Sequence, residues 1–368
     1  MSEFFTYALF IAAIAFAAEI LIIALGLRRA NRIRKAPDYE PTVSIIVAAR
    51  NEEEHIEQCL ASLMRLEYPR DKIEIIVVDD RSTDRTPEII RKFSEQHDSV
   101  KTVTAQLERG NLRGKMNAVA LGISLSHGEI LMFTDADCSV PPGWIHETVQ
   151  SFDAETGIVG GFTLLEATGV FGGMQALDWI YLFSLASGTA GLRIPLTAIG
   201  NNLSVRRSAY DATGGYEVIP FSVTEDYALV QSILQKTNYV LRFPVNPLAA
   251  VASKPCRGWR ELYRQKQRWG VGALDMVTRG VVITAVGWVL NLTLLVGWCF
   301  VGFPVWITAF AVKTLVDTFF LWKPLKELRA LSYLKYLAFF EVYFTLYVLA
   351  IPLVAILSRG VIWKERKL

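Results

Sequence analysis

Apolar and polar positions divide this chain into two kinds of territory. Phe4 to Leu27 is an apolar run broken only by Glu19, and its length suits a bilayer crossing. Three further runs of that kind, Val281 to Cys299, Pro304 to Trp322 and Tyr336 to Leu357, follow Gly280. Between the first run and the last three, short apolar stretches alternate with segments of helical spacing. Val43 to Ala49, Ile73 to Val78, Val100 to Val103 and Ile130 to Phe133 read as strands. Glu53 to Leu66, with Ile56, Leu60, Leu63 and Met64 on one face, reads as a helix, as do Thr86 to His97 and Met116 to Leu125. Strands alternating with helices predict a parallel sheet with crossover helices, an architecture of the nucleotide-binding kind.

Beyond Asp137 the pattern loosens. Pro141-Pro142-Gly143-Trp144 opens a helix and Gly157 to Phe162 reads as a strand. Phe171 to Ala190 is long and apolar, but its small residues and the Asp178 inside it favour a buried or membrane-surface helix over a span. Gly258 to Gly272 mixes Arg260, Arg264, Lys266 and Arg268 with Trp259, Leu262, Tyr263 and Trp269, which suits a helix lying in a membrane interface. The expected divisions are therefore 1–35 for a first membrane helix with its basic flank and 36–252 for a cytosolic α/β domain. An interface helix over 253–280 and membrane helices over 281–368 complete them.

Charge refines this picture. The net charge of the 368 residues is only +2, so no nucleic-acid partner is indicated, and 52% of the residues are hydrophobic. The cations are local. Arg28, Arg29, Arg32, Arg34 and Lys35 follow the first apolar run and place its carboxyl end in the cytosol. Lys323, Lys326, Arg329 and Lys335 precede the last run, and Arg359, Lys364, Arg366 and Lys367 follow it. One crossing cannot keep both groups inside, so either Tyr336 to Leu357, with Glu341 and Pro352, is bent or re-entrant, the favoured reading, or it crosses fully and the tail's charges are tolerated outside. Lys313 and Asp317, one helical turn apart, are expected to neutralise each other. Cys59, Cys138, Cys256 and Cys299 show no metal or disulfide spacing and are read as reduced.

Candidate chemistry sits where strands should end. Asp135 and Asp137 follow the strand Ile130 to Phe133, and two carboxylates so spaced can face one hard divalent cation, or merely make a turn or cap the next helix. Gly114-Lys115 is not a phosphate-binding P-loop: the spacing from Gly110 is one residue short and Met116 replaces the Ser or Thr. Lys115 nevertheless precedes a helix, where backbone amides and an ammonium can meet a diphosphate. In Thr224-Glu225-Asp226, either Thr224 or Asp226 could cap the helix that follows, or a carboxylate could take a proton from a hydroxyl nucleophile.

Taken in order, Arg50-Asn51-Glu52, Asp79-Asp80-Arg81-Ser82, Lys115, Asp135-Ala136-Asp137, Thr224-Glu225-Asp226 and Gln265-Lys266-Gln267-Arg268-Trp269 resemble the membrane-bound family 2 glycosyltransferases, from about Val43 to Trp269. The resemblance implies a GT-A fold, that is, an α/β nucleotide-sugar-binding domain with a Rossmann-like mixed sheet, accompanied by transmembrane and interfacial helices. It also implies inverting transfer of a sugar, of glucose type, from a UDP-sugar to a lipid acceptor in the bilayer, with Mg2+ or Mn2+ as cofactor. Ala48, Asn51, Glu52 and Asp80 match the nucleoside-contacting segments, and Lys115 would lie near uracil or the phosphates. Asp135 and Asp137 match the metal motif, with Asp137 the more direct ligand. Asp226, with Glu225 beside it, matches the catalytic base. Gln265, Arg268 and Trp269 match the strip that closes over diphosphate and acceptor. Four spans suit single transfer to a lipid, as in enzymes similar to ceramide, hopanoid or carotenoid glucosyltransferases. A processive polysaccharide synthase of the same family is the alternative. The expected location is the bacterial inner membrane, catalytic domain in the cytosol.

Overall fold

A computed structural model of the chain describes residues 2–32, 38–358, 360–363 and 366–367. Arg34, Lys35 and Pro37 of the first basic run and its linker lie outside the described residues, as do Arg359 and Lys364 of the terminal one.

In chain order the elements are α1 (Ser2–Ala30), β1 (Val43–Ala49), α2 (Ile56–Met64), β2 (Ile73–Asp79), α3 (Thr86–Gln96), β3 (Val100–Thr104), α4 (Gly114–Ser124), β4 (Ile130–Asp135), α5 (Trp144–Val149), β5 (Thr156–Gly160), β6 (Thr163–Leu165) and α6 (Gly169–Gly191). There follow β7 (Leu203–Arg206), α7 (Arg207–Asp211), α8 (Glu225–Lys236), β8 (Val240–Arg242), β9 (Val251–Ser253), α9 (Trp259–Gly272), α10 (Thr278–Gly297), α11 (Phe303–Glu327) and α12 (Leu337–Leu357). They form two compact units. One holds Asn31–Leu165, Thr197–Lys254 and Gly360–Leu368; the other holds Met1–Ala30, Glu166–Leu196 and Pro255–Arg359.

The first unit is built on a seven-stranded sheet of order β3-β2-β1-β4-β7-β5-β8. The four strands legible as apolar runs are parallel neighbours, as expected. The sheet departs from all-parallel at β7, which runs antiparallel to both β4 and β5. Leu203-Ser204-Val205-Arg206 is too short and too mixed to announce a strand, and its pairing is set by neighbours distant in sequence. One face of the sheet buries Val43, Ile45, Val47, Ile75 and Val77 against Ile56, Leu60 and Leu63 of α2. Trp144 of α5 is fully buried, and its Nε1–H donates to Asn202 Oδ1 at 2.9 Å. The Asn202 amide in turn donates to the carbonyls of Phe162 and Ala249, so no polar group of this cluster is wasted in the interior.

The second unit is helical. Four of its segments, Ser2–Ala30, Thr278–Gly297, Phe303–Glu327 and Leu331–Leu357, are long and apolar enough to cross a membrane. α6 falls outside that group and is buried along most of its length, the buried-helix outcome expected for Phe171 to Ala190. It packs on α1 through glycines. A Cβ on Gly26 would lie 2.0 Å from the Gly188 carbonyl oxygen, and one on Gly191 2.0 Å from that of Gly26. Where no water drives helices together, such close backbone approach is what gives packing energy.

The expected Lys313–Asp317 pair forms at 2.8 Å, and Lys313 also meets Glu341 at 2.5 Å. The Tyr181 hydroxyl donates to Asp317 at 2.9 Å, so α6, α11 and α12 share one buried polar cluster. Glu341 is therefore a partner for a lysine and not the mark of a bend. α12 is a single helix that includes Pro352. The four cysteines are free thiols.

A Gly188→Val variant should lower the apparent melting midpoint in detergent by roughly 3–10 °C, since its Cβ meets Ile23 at 2.4 Å. Gly297→Ala, where a Cβ meets nothing within 4 Å, should leave the midpoint unchanged in the same assay.

Candidate active site

The carboxyl edge of the sheet gathers the residues singled out from sequence. Register places Ala48 opposite both Val78 and Asp135, so the loops after β1, β2 and β4 leave the sheet at one level. Ligands bind at this edge in open α/β sheets, where the order of strands reverses. The first two loops are tied together. Arg50 donates to the carbonyls of Asp80 and Arg81 at 2.6 and 2.9 Å, and the Asn51 amide N–H donates to Ser82 Oγ at 3.1 Å. The Asn51 side-chain oxygen accepts from the Thr83 N–H at 2.9 Å, and the Glu52 amide donates to Thr86 at 2.8 Å. Asn51 and Arg81 both take positive φ, 50° and 56°, conformations that this mutual bracing sustains.

Asp135, at the end of β4, faces Lys115 near the start of α4. The Lys115 ammonium lies 2.7 Å from Asp135 and 3.0 Å from Glu225. Asp226 lines the same small pocket with Ala48, Gly200 and Tyr216. Its two carboxylate oxygens accept from the backbone N–H groups of Gly200, at 2.6 Å, and Tyr227, at 2.8 Å. Thr224 makes no side-chain cap, so of the two cap candidates only Asp226 takes a free amide of α8. Withdrawal from water, then the neighbouring Glu225 charge, pushes the Asp226 pKa up from 3.8 to about 6; Lys115 and the two amides act the other way. For Lys115, burial works against the charged form, but Asp135, Glu225 and Asp226 outweigh it and hold the ammonium protonated. Glu225 is thereby in direct contact with the cation, whereas the hydrogen bonds of Asp226 come from backbone N–H groups, which leaves it the more available proton acceptor.

Asp137 lies past the end of β4 with its side chain exposed. It does not cap α5, whose N-cap is Gly143. Beneath the motif the thiols of Cys59 and Cys138 are buried, and burial raises both pKa values, so they remain protonated. Among the described residues no cluster of three or more His, Cys, Asp or Glu side chains could hold a metal by itself. Two carboxylates at a strand end, one of them open to solvent, still fit a hard cation whose other ligands are diphosphate oxygens and water.

Gln265, Arg268 and Trp269 lie on α9, in the helical unit. The exposed face of α9 carries Trp259, Arg260, Tyr263 and Arg264, the cation and aromatic mixture expected of an interface helix. The Gln265 side-chain oxygen is buried with no hydrogen-bond partner among the described residues. Sequence reasoning assigned no role to Gly200 or Tyr216. Neither carries a local signal, and only the fold brings them to Asp226.

Comparison with known proteins decides the family. The family described as Glycosyl transferase family group 2 matches residues 130–358, more than half of the chain, and Glycosyl transferase family 2 matches residues 44–214. The chain belongs to the family 2 glycosyltransferases. This glycosyltransferase is 31% identical over 245 residues to a beta-monoglucosyldiacylglycerol synthase of Nostoc, covering 63% of this chain and 49% of that one. It is 26% identical over 241 residues to a poly-beta-1,6-N-acetyl-D-glucosamine synthase of Staphylococcus epidermidis, covering 64% and 56%. It thus spans about half the length of these relatives. Among solved structures, a mannosyltransferase of Pyrobaculum calidifontis in complex with GDP-Man and Mn2+ superposes with a TM-score of 0.63 at 21% identity, over 98% of this chain and 100% of that one. The glycosyltransferase shares its fold.

A site-specific titration of the Asp226 carboxyl, by infrared difference or carbon-13 NMR, should give a pKa near 6. Lys115→Met should move it higher, because the lysine charge favours the ionised form. The folded state then binds this proton more tightly than the unfolded chain does, so the Asp226 contribution to stability is lost as pH rises from 3.8 to about 6.

Proposed function

We infer that this glycosyltransferase moves one glucose-type sugar from a UDP-sugar to a lipid acceptor that stays in the bilayer, with inversion at the transferred carbon. The observation that carries the reading is the convergence of Asp135, Glu225 and Asp226 on Lys115 at the carboxyl edge of the sheet, in a chain with four helices long and apolar enough to cross a membrane. Asp226 takes the proton of the acceptor hydroxyl as the new glycosidic bond forms, and the nucleoside diphosphate leaves with the electrons of the bond to the sugar. A carboxylate titrating near 6 is ionised at neutral pH yet more basic than an ordinary aspartate, which suits that task. Asn51, Glu52, Asp80 and Ala48 lie along the nucleoside, in loops stiffened by Arg50. Lys115 and Arg268 supply positive charge to the phosphates, and Gln265 and Trp269 border the acceptor. Asp137, with Asp135, would hold Mg2+ or Mn2+, and the bound cation supplies further charge against the departing diphosphate.

Two features support a lipid as acceptor. The relative named beta-monoglucosyldiacylglycerol synthase is a glycolipid enzyme by its name. Within the helical unit, Tyr263 and Gln267 of α9 and Ala350, Leu353, Val354, Leu357 and Ser358 border an open groove of about 570 Å³, apolar along α12 and polar at Gln267 and Ser358. That gradient matches an acyl chain with a headgroup. The expected setting is the bacterial inner membrane, with the sheet-containing unit in the cytosol. The similarity to a poly-N-acetylglucosamine synthase favours polymer synthesis as the second reading.

Purified protein incubated with UDP- and GDP-sugars, Mg2+ or Mn2+, and native lipid extract separates the readings. A lipid one hexose heavier, with release of UDP, supports single transfer; a ladder of products supports polymerisation; release of GDP alone rejects the uridine donor. Asp137→Asn should abolish Mn2+-dependent nucleotide binding measured by calorimetry. Asp226→Asn should lower kcat about 10²–10⁴-fold with donor KM little changed. An Asp226→Asn enzyme with normal turnover shifts the base to Glu225.

A further inference from the structure

Two charged residues took no part in the site above. Asp178 sits inside the apolar α6, and Lys266 is the second residue of the Gln265 to Trp269 strip. The structure joins them. The Lys266 ammonium is paired with Asp178 Oδ2, their side chains 6% and 4% exposed, and the Tyr343 hydroxyl of α12 donates to the same oxygen at 3.1 Å. The ammonium also stands over two aromatic faces, 4.2 Å from the Trp269 ring centre and 4.5 Å from that of Tyr347. Trp179, next to Asp178 on α6, brings its ring to 5.5 Å from Trp269. Two adjacent residues of α6 thus grip Lys266 and Trp269, which are one turn apart on α9.

A pair of apolar side chains of similar volume would hold these helices together at least as well, because ions withdrawn from water lose much of what they gain by pairing. What an apolar pair cannot supply is direction. A cation is attracted to the centre of a ring face, and Asp178 fixes where that cation stands. We propose that Asp178 and Lys266 are positioning residues, whose buried ion pair sets the orientation of Trp269 that the transfer reaction uses. The inference rests on the reading of Trp269 as part of the acceptor site.

Fluorine NMR on fluorotryptophan-labelled protein in lipid nanodiscs tests the positioning directly, with Trp269 assigned through Trp269→Phe. Lys266→Met should shift or broaden the Trp269 and Trp179 signals and leave that of Trp144, in the sheet-containing unit, where it was. The same variant should lower kcat roughly tenfold or more with donor KM almost unchanged, alongside the fall in melting midpoint that an unpaired buried Asp178 brings. Placed in a Trp269→Ala background, Lys266→Met should add no further loss, because the lysine acts through the ring. Losses that multiply, or an unmoved Trp269 signal, overturn the inference. If Lys266→Met or Asp178→Asn does not fold, Tyr343→Phe removes only one hydrogen bond to Asp178 and should produce the same changes on a smaller scale; an unmoved Trp269 signal and full rate in that variant overturn it equally. Wild-type protein that transfers no sugar overturns the proposed function, whereas the Trp269 signal in Lys266→Met still decides whether the lysine sets the ring.

Discussion

A charge taken out of water has to be met by another, and three lysines of this chain are placed under that rule. Lys115 is met by Asp135 and Glu225, Lys266 by Asp178, and Lys313 by Asp317 and Glu341. In each case at least one partner comes from another element, so satisfying the lysine helps fix how those elements pack. An isolated buried ammonium or carboxylate costs several kcal/mol, far more than the margin of stability an ordinary packing defect consumes. The three clusters differ in openness. Those of Lys266 and Lys313 are sealed, whereas Lys115 is 20% exposed beside an Asp135 that is 34% exposed. The site reached by solvent is the one whose charges can be rearranged by a ligand.

That difference bears on how the candidate active site works. Lys115 neutralises Asp135 and Glu225 together. Asp226 feels the charges of Glu225 and Lys115, but its own hydrogen bonds are made to the backbone. Its oxygens are held by main-chain N–H groups of Gly200 and Tyr227, which neither titrate nor move with side-chain rotamers. A proton acceptor aimed by backbone amides keeps its direction while the charges around it change partners.

Much of this was legible in the residues alone, for particular reasons. β1, β2 and β4 show as continuous apolar runs because parallel strands are buried on both faces, and each ends in the polar residues that the edge requires. Lys313 and Asp317 announced themselves because helical neighbours are neighbours in sequence. β7 did not, since a four-residue strand is defined by the strands it joins, and β4 and β5 are far from it along the chain. The partner of Glu341 was equally out of view, because Lys313 is 28 residues away. The Asp178–Lys266 pair spans 88 residues, and nothing local in either segment points to the other. The Gly200 amide on Asp226 is of the same kind, a main-chain group whose role depends wholly on where the fold delivers it.

The two units are interleaved along the chain, and this limits how the molecule can be taken apart. Asp135 and Asp137 are in Asn31–Leu165, but Glu225 and Asp226 are in Thr197–Lys254, with α6 threaded between them. A fragment cut to remove the membrane helices at either end still contains α6, stripped of α1, α11 and α12, the helices against which it is buried. Asp178 would then lose the Tyr343 hydroxyl and Tyr181 would lose Asp317. The sheet-containing unit therefore cannot be released as one contiguous piece, and during synthesis α1 is made ahead of the first four parallel strands, long before its glycine-lined partner α6 emerges.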